Sequence, residues 1–395
     1  MLARAHALAR AMDWFLILSS LVKIIGLVFL TILPMVAYSV YAERRVSAFI
    51  QDRLGPNRVG FNGLAQPIAD GLKFLLKEDI TPAHVNKFYY WLAPCLVLVP
   101  ALVSCAVLPF GSTLDLDWLG LKQDMKLVIA DLNIGPLFIL AITSLSVYGI
   151  VLAGWASNSK YPFFGGVRSS AQMISYEIAL GLSIVPILMI YGNPNMGDIV
   201  AEQAKNGWAL LPFWGENAVF RWQDGGFVYA GGKHLLLLIP VFISFIVFTT
   251  SIFAETNRLP FDLAECETEL VAGYHTEYSS MKFALFFLGE YAAMIIGSGF
   301  AVTLFLGGWS LPFGLSAGQV ETVGLPVALL QFGTFLIKVV AFIIFFIWVR
   351  WSIPRFRYDQ LMKLGWVWFF EIALFNVLLT AGILIFLNSS TIATP

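Results

Sequence analysis

The run Trp14-Phe15-Leu16-Ile17-Leu18-Ser19-Ser20-Leu21-Val22-Lys23-Ile24-Ile25-Gly26-Leu27-Val28-Phe29-Leu30-Thr31-Ile32-Leu33-Pro34-Met35-Val36-Ala37-Tyr38-Ser39-Val40-Tyr41 holds one charged residue and then flows into Ala42-Glu43-Arg44-Arg45. About 20 apolar residues in a helix cross the roughly 30 Å hydrocarbon layer of a bilayer. This run is longer, so it is expected to tilt or to project from the membrane. Its length and its charged flank also distinguish it from a cleaved signal segment. The pattern recurs along the chain. Of the 395 residues 58% are hydrophobic and 12% charged, against about 25% charged in soluble domains. Mean hydropathy is +0.79. Inside a bilayer each backbone amide needs an internal partner, which leaves helices or closed barrels. The apolar runs are continuous and do not alternate, which selects helices.

Eight spans are expected, over residues 14–41, 88–109, 127–155, 170–191, 234–253, 281–306, 330–351 and 364–387, in a single membrane domain covering 1–395. Alternating the sides gathers Arg44, Arg45, Arg53, Arg58, Lys73, Lys77, Lys87, Lys160, Arg168, Arg258, Lys282, Arg350, Arg355, Arg357 and Lys363 on one face. Those are 15 of the 24 basic residues. Basic loops stay on the cytoplasmic or matrix side, so both termini are expected on the outer, periplasmic or intermembrane side. The outer segment 193–233 reads as an irregular loop, and 115–126 as a shorter one.

Two inner loops, 43–87 and 254–280, hold most of the chemistry. In the first, Gly55-Pro56-Asn57 signals a turn. From Pro67 onward, Ile68, Leu72 and Leu75 share one helical face while Asp70, Lys73 and Lys77 share another, as in an interfacial amphipathic helix. The plain alternative is a surface loop whose arginines meet lipid headgroups. The second loop places Glu255, Asp262, Glu265, Glu267, Glu269 and Glu277 within 23 positions. A helix over 263–271 would set Asp262, Glu265 and Glu269 on one face, where burial and mutual repulsion raise carboxyl pKa values; a solvated acidic loop is the alternative. Glu177 and Glu290 fall inside spans, as do Lys23, Lys338 and Glu371. An ionisable group there costs several kcal/mol unless it faces a polar interior, so Glu177 and Glu290 are read as marking an ion or proton route; for Lys23 the alternative is snorkelling from near a helix end, and for Glu371 a place near the interface.

Cys95, Cys105 and Cys266 have unrelated spacings, and four histidines are scattered, so no metal site is expected. There is no phosphate-binding loop, dinucleotide fingerprint, haem ligand pair or nucleophile constellation, hence no catalytic residue in isolation and no redox centre.

The strings from Glu43 to Glu78, centred on Arg53-Leu54-Gly55-Pro56-Asn57-Arg58-Val59-Gly60, and from Ala254-Glu255-Thr256-Asn257-Arg258 to Glu277-Tyr278 resemble the signatures of one family. It is the quinone-proximal membrane subunit of respiratory complex I. Ala130-Asp131-Leu132-Asn133, Ser175-Tyr176-Glu177 and Pro354-Arg355-Phe356-Arg357 extend the similarity, while Cys266 departs from it at a place where glycine is common. The resemblance implies an all-α polytopic membrane protein of about eight helices, acting within NADH:quinone oxidoreductase. It implies a quinone tunnel involving Arg44, Arg45, Arg53, Arg58, Asp262, Glu265, Glu267 and Glu269. It also implies a proton path through Glu43, Asp70, Glu177, Glu255, Glu277 and Glu290. Quinone, ubiquinone in the first instance, would be a substrate, with NAD, FMN and iron–sulfur clusters confined to partner subunits. Those partners would be the peripheral quinone-site and iron–sulfur subunits, small membrane subunits and antiporter-like subunits, with lipid around them and no nucleic acid. The membrane would be energy-transducing, such as a bacterial inner membrane. The competing readings are a membrane anchor of a hydrogenase-type energy-converting complex and a free-standing transporter.

Overall fold

The computed structural model describes residues 15, 17–117, 124–212, 220–223, 226–229, 232–264, 270–312 and 322–392. Among them, eight helices are long and apolar enough to cross a membrane: α1 (Ile17–Ile50), α3 (Lys87–Val107), α4 (Gly135–Ala156), α5 (Lys160–Tyr191), α7 (Leu235–Glu255), α8 (Ser280–Phe305), α9 (Leu325–Ser352) and α10 (Tyr358–Leu387). Two shorter helices lie between them, α2 (Gln66–Leu76) and α6 (Met196–Asn206). Large apolar side chains such as Leu30, Ile337 and Ile385 are about 70% exposed, which suits a surface facing lipid instead of water.

α8 is the axis of the bundle, packed against α1, α3, α7 and α9, while α5 joins α4, α7 and α10. Close approach depends on small residues. A Cβ at Gly165 of α5 would fall 2.6 Å from the Tyr274 amide nitrogen, so only glycine lets the 273–275 turn lie against this helix. α5 ends at Gly192, whose φ of +67° is left-handed and whose N–H reaches back to Leu188 O at 2.8 Å.

The expected spans are all present, with different ends. α1 does not stop at Tyr41 but runs through Ala42-Glu43-Arg44-Arg45 to Ile50, because the Glu43 side chain is paired within the bundle and Ala48 is buried. α4 starts at Gly135, not at Leu127, since Met125–Lys126 is strand and Pro136 suits a first turn. α5 begins ten positions before the expected Ser170. The expected helix over 263–271 does not begin at Leu263, which is non-helical, and 265–269 lie outside the described residues.

The described parts of 193–233 are more regular than the irregular loop expected from composition. Asn195 caps α6, its Oδ1 accepting from Gly197 N at 2.8 Å, and Met196, Ile199, Val200 and Ala204 are buried. A hairpin of β3 (Phe220–Gln223) and β4 (Gly226–Tyr229) follows. Three two-residue strands close the same end: β1 (Thr113–Leu114) pairs antiparallel with β2 (Met125–Lys126) and parallel with β5 (Thr322–Val323). Lys338 of α9 donates to Leu306 O, Gly308 O and Ser310 O at 2.7, 2.9 and 2.8 Å, capping the carbonyl end of α8.

Candidate functional site: an ionic wall between two cavities

A cavity of about 750 Å³ opens between α1, α2, α8 and α9. α2 forms one side as a strap fixed at both ends. Near its start, Arg44 Nη1 and Gln66 Nε2 meet Asp70 at 2.7 and 3.0 Å. Beyond its end, Ser280 Oγ donates to Phe74 O and Lys77 O at 2.9 and 3.0 Å, and Lys282 Nζ reaches Asp79 and Thr81 at 2.9 and 2.7 Å. The Lys282 ammonium also lies 4.3 Å from the Trp91 ring.

Lining this cavity is a cluster drawn from four parts of the chain. Glu43 of α1 receives Arg258 Nη1 at 3.3 Å, the Tyr291 hydroxyl at 2.5 Å, and an ion pair from Arg350 at the end of α9. Arg258 Nε lies 2.6 Å from Glu290 Oε1, its N–H angled off the oxygen, so this contact is ionic and not a directed hydrogen bond. The guanidinium also rests on the Tyr291 ring, 4.1 Å from its centroid. Burial works against the Arg258 charge, but Glu290, Tyr291 and Glu43 outweigh it and hold its pKa well above the ordinary value. The side chains of Arg258, Glu43 and Glu290 are 7, 12 and 9% exposed, so each charge depends on the others for the stabilisation water would otherwise give.

Asp262 sits beside this wall with Arg355 Nη2 at 2.9 Å. Burial raises its pKa against the opposing pull of Arg355 and Arg350. Behind Glu290 is a second, small cavity of about 40 Å³ whose lining includes Glu290, Glu255, Thr143, Ser146 and Tyr274. That is room for one to a few water molecules at roughly 10–15 Å³ each. Glu177 of α5 is near enough to Glu255 for their charges to interact. Glu43 and Arg258 thus line the large cavity, Glu290 and Glu255 line the small one, and the Arg258–Glu290 ion pair joins the two linings.

The NADH dehydrogenase family model matches residues 22–381. The chain is 48% identical over 359 residues to the H subunit of NADH-quinone oxidoreductase from Leptospira biflexa, covering 90% of this chain and 92% of that protein. It is 45% identical over 362 residues to the second H subunit of Geobacter sulfurreducens, with 92% and 95% covered. The corresponding protein of Salinibacter ruber is 48% identical over 354 residues, with 88% and 91% covered. The chain belongs to the family of NADH-quinone oxidoreductase H subunits. It is an integral membrane subunit of the kind those relatives are named for.

In the structure the residues singled out in the sequence separate into groups. Glu43, Arg44, Arg53 and Asp70 line the large cavity. Glu255 and Glu290 line the small one. Arg45 instead holds the 55–62 turn, donating to Pro56 O and Asn62 O at 3.1 Å each. Arg58 is exposed and absent from either lining. Glu277 also stands away from both linings; its backbone carbonyl accepts from the Tyr90 hydroxyl at 2.6 Å. Glu265, Glu267 and Glu269 lie outside the described residues.

Sequence reasoning misses the cations that pair with Glu43 and Glu290. In the sequence Arg258 is an offset to an acidic loop, Arg350 a loop charge and Tyr291 one residue of an apolar span. One signal is available: carboxylates buried in spans require cations, and Arg258 and Arg350 stand at the ends of apolar runs where they can turn inward.

Proposed function

We propose that this chain forms the membrane end of the quinone-access passage of an NADH:quinone oxidoreductase and couples quinone reduction to proton translocation. The observation that carries the proposal is the contiguity of the large cavity with the Glu43–Arg258–Glu290 wall and the small acidic cavity behind it. A volume of about 750 Å³ lies within the ~300–1,000 Å³ typical of small-molecule sites. Its mostly apolar walls suit an isoprenoid quinone, and the arginines in its lining suit a headgroup that gains negative charge as it accepts electrons.

The chain contributes no redox group in this reading. Electrons arrive through partner subunits carrying NAD, FMN and iron–sulfur clusters, and quinone is the substrate that meets them. Each quinone reduced takes up two electrons and two protons. The change in charge at the cavity redistributes the paired charges of Glu43, Arg258 and Glu290. A carboxyl released from Arg258 then exchanges a proton with water in the small cavity and with Glu255 and Glu177 beyond. Antiporter-like subunits receive the outcome of that exchange. Asp262 belongs to the same face, and the setting is an energy-transducing membrane such as a bacterial inner membrane. The naming of the relatives favours this reading over a hydrogenase-type anchor.

Gly71 provides the test. It lines the cavity, and a Cβ added there meets nothing within 4 Å, so Gly71→Trp is expected to add bulk at the cavity wall. In the assembled complex, quinone reductase turnover should fall severalfold while NADH oxidation by a water-soluble acceptor is retained. Unchanged turnover and KM across quinones of different tail length would refute the passage.

A further inference from the structure

The Arg258 side chain projects from an irregular turn, and regular helix hydrogen bonding does not fix where such a turn points. Gln172 of α5 does. It is fully buried, and its Nε2 lies 2.8 Å from Ala254 O, 2.7 Å from Phe261 O and 3.2 Å from Asn257 Oδ1. The two carbonyls stand on either side of Arg258, four residues before it and three after. A single amide thus ties the end of α7 to the far side of the turn. Ser169, one turn earlier on α5, donates to the same Asn257 Oδ1 at 3.2 Å. Asn257 itself sits at φ +48°, a left-handed conformation that its neighbours must hold in place. The three oxygens around Nε2 also fix the amide orientation, because the flipped amide would aim its own oxygen at all of them.

We infer that Gln172 is a positioning residue for the coupling site: it clamps the 254–261 turn so that Arg258 is held between Glu43 and Glu290. Neither Gln172 nor Ser169 lines either cavity, so its effect on quinone or proton passes through the 254–261 turn, whose Arg258 lines the large cavity and whose Glu255 and Asn257 line the small one. The alternatives fail on geometry. Asn at 172 is one methylene too short to reach both carbonyls. Glu keeps the length but presents oxygen to three oxygen acceptors, and Leu or Met keeps the volume and donates nothing.

The inference rests on the proposed function for its consequence, but not for the placement itself, and the experiment separates the two. Gln172→Leu and Gln172→Met are introduced into the complete complex, alone and together with Arg258→Gln. A density map of the Gln172→Leu complex should show Arg258 displaced from Glu290 with α5 and α7 unmoved. Turnover should fall roughly ten- to a hundredfold, the scale on which an ångström of misplacement acts. The double variant should lose no more than Arg258→Gln alone, since two changes acting through one group are not additive. The pH profile of turnover in Gln172→Leu should shift in the same direction as in Arg258→Gln. An unmoved Arg258 overturns the clamp, as does additive loss with a wild-type pH profile. Failure of both Gln172→Leu and Gln172→Met to assemble also overturns it, because the amide is then a folding contact. A displaced Arg258 with normal turnover leaves the clamp standing and removes the proposed role of the wall.

Discussion

Arg258 concentrates the electrostatics of the site because it is paired with both Glu43 and Glu290. Removing one member of a buried ion network leaves charges without partners and costs ~3–5 kcal/mol, whereas keeping the charge costs less. Arg258→Met should therefore lower both the amount of assembled complex and its turnover, and Arg258→Lys should retain assembly with reduced turnover. Immunoblots of native gels and quinone reductase assays on the same membranes distinguish these outcomes. His275 gives a residue-scale prediction of another kind. It is buried beside Tyr274, Phe283 and Phe287, and burial lowers its pKa to about 4 from an ordinary 6.5. The unfolded chain then binds this proton at higher pH than the folded one. The stability tied to a neutral His275 is intact above pH 6.5 and is lost as pH falls toward 4, on the order of 1 kcal/mol per pH unit. Thermal midpoints of the purified complex between pH 7.5 and 5 should drop less in His275→Phe than in the unmodified protein.

Among the elements, α2 shows what a sequence pattern can and cannot reveal. The spacing of Ile68, Leu72 and Leu75 against Asp70 and Lys73 is enough to place an amphipathic helix there, and the helix is present over Gln66–Leu76. Its role as a strap is not legible, because the residues that hold it, Arg44, Ser280 and Lys282, are up to about two hundred positions away. Lys282 is 3% exposed at its side chain while its partner Asp79 is 41% exposed. Lys282→Met should therefore leave Asp79 hydrated and the fold intact, but loosen the strap. Faster amide exchange is expected across 72–81 with α8 unchanged; equal exchange in both proteins would show that the serine contacts suffice to hold the far end of α2. α6 makes the complementary point: Asn195 followed by Met196, Ile199 and Val200 is a capped amphipathic helix that the glycine- and asparagine-rich composition of 193–233 conceals.

Over the whole molecule, the asymmetry of basic residues predicts the orientation of the bundle. The segment with α2 should face the cytoplasmic or matrix side, and α6 and both termini should face the other. Glu78 and Lys205 are exposed on these opposite segments. With the native cysteines replaced by alanine, an impermeant maleimide should label Lys205→Cys in right-side-out vesicles and Glu78→Cys only in inverted ones. The reverse pattern would turn the molecule over and place the large cavity on the outer side.

Hydropathy is a local quantity, so the sequence by itself determined eight spanning helices, the surface helix at Gln66–Leu76 and the presence of costly charges within the membrane. The cost of burying charge states that Glu43 and Glu290 must find cations, but not which ones. That choice was made by tertiary structure, which brings Arg258 to Glu43 across 215 positions and Arg350 to the same carboxylate across 307. It also set Gln172 against the turn that carries Arg258. Such pairings depend on how helices pack in three dimensions, and no periodicity along the chain records them.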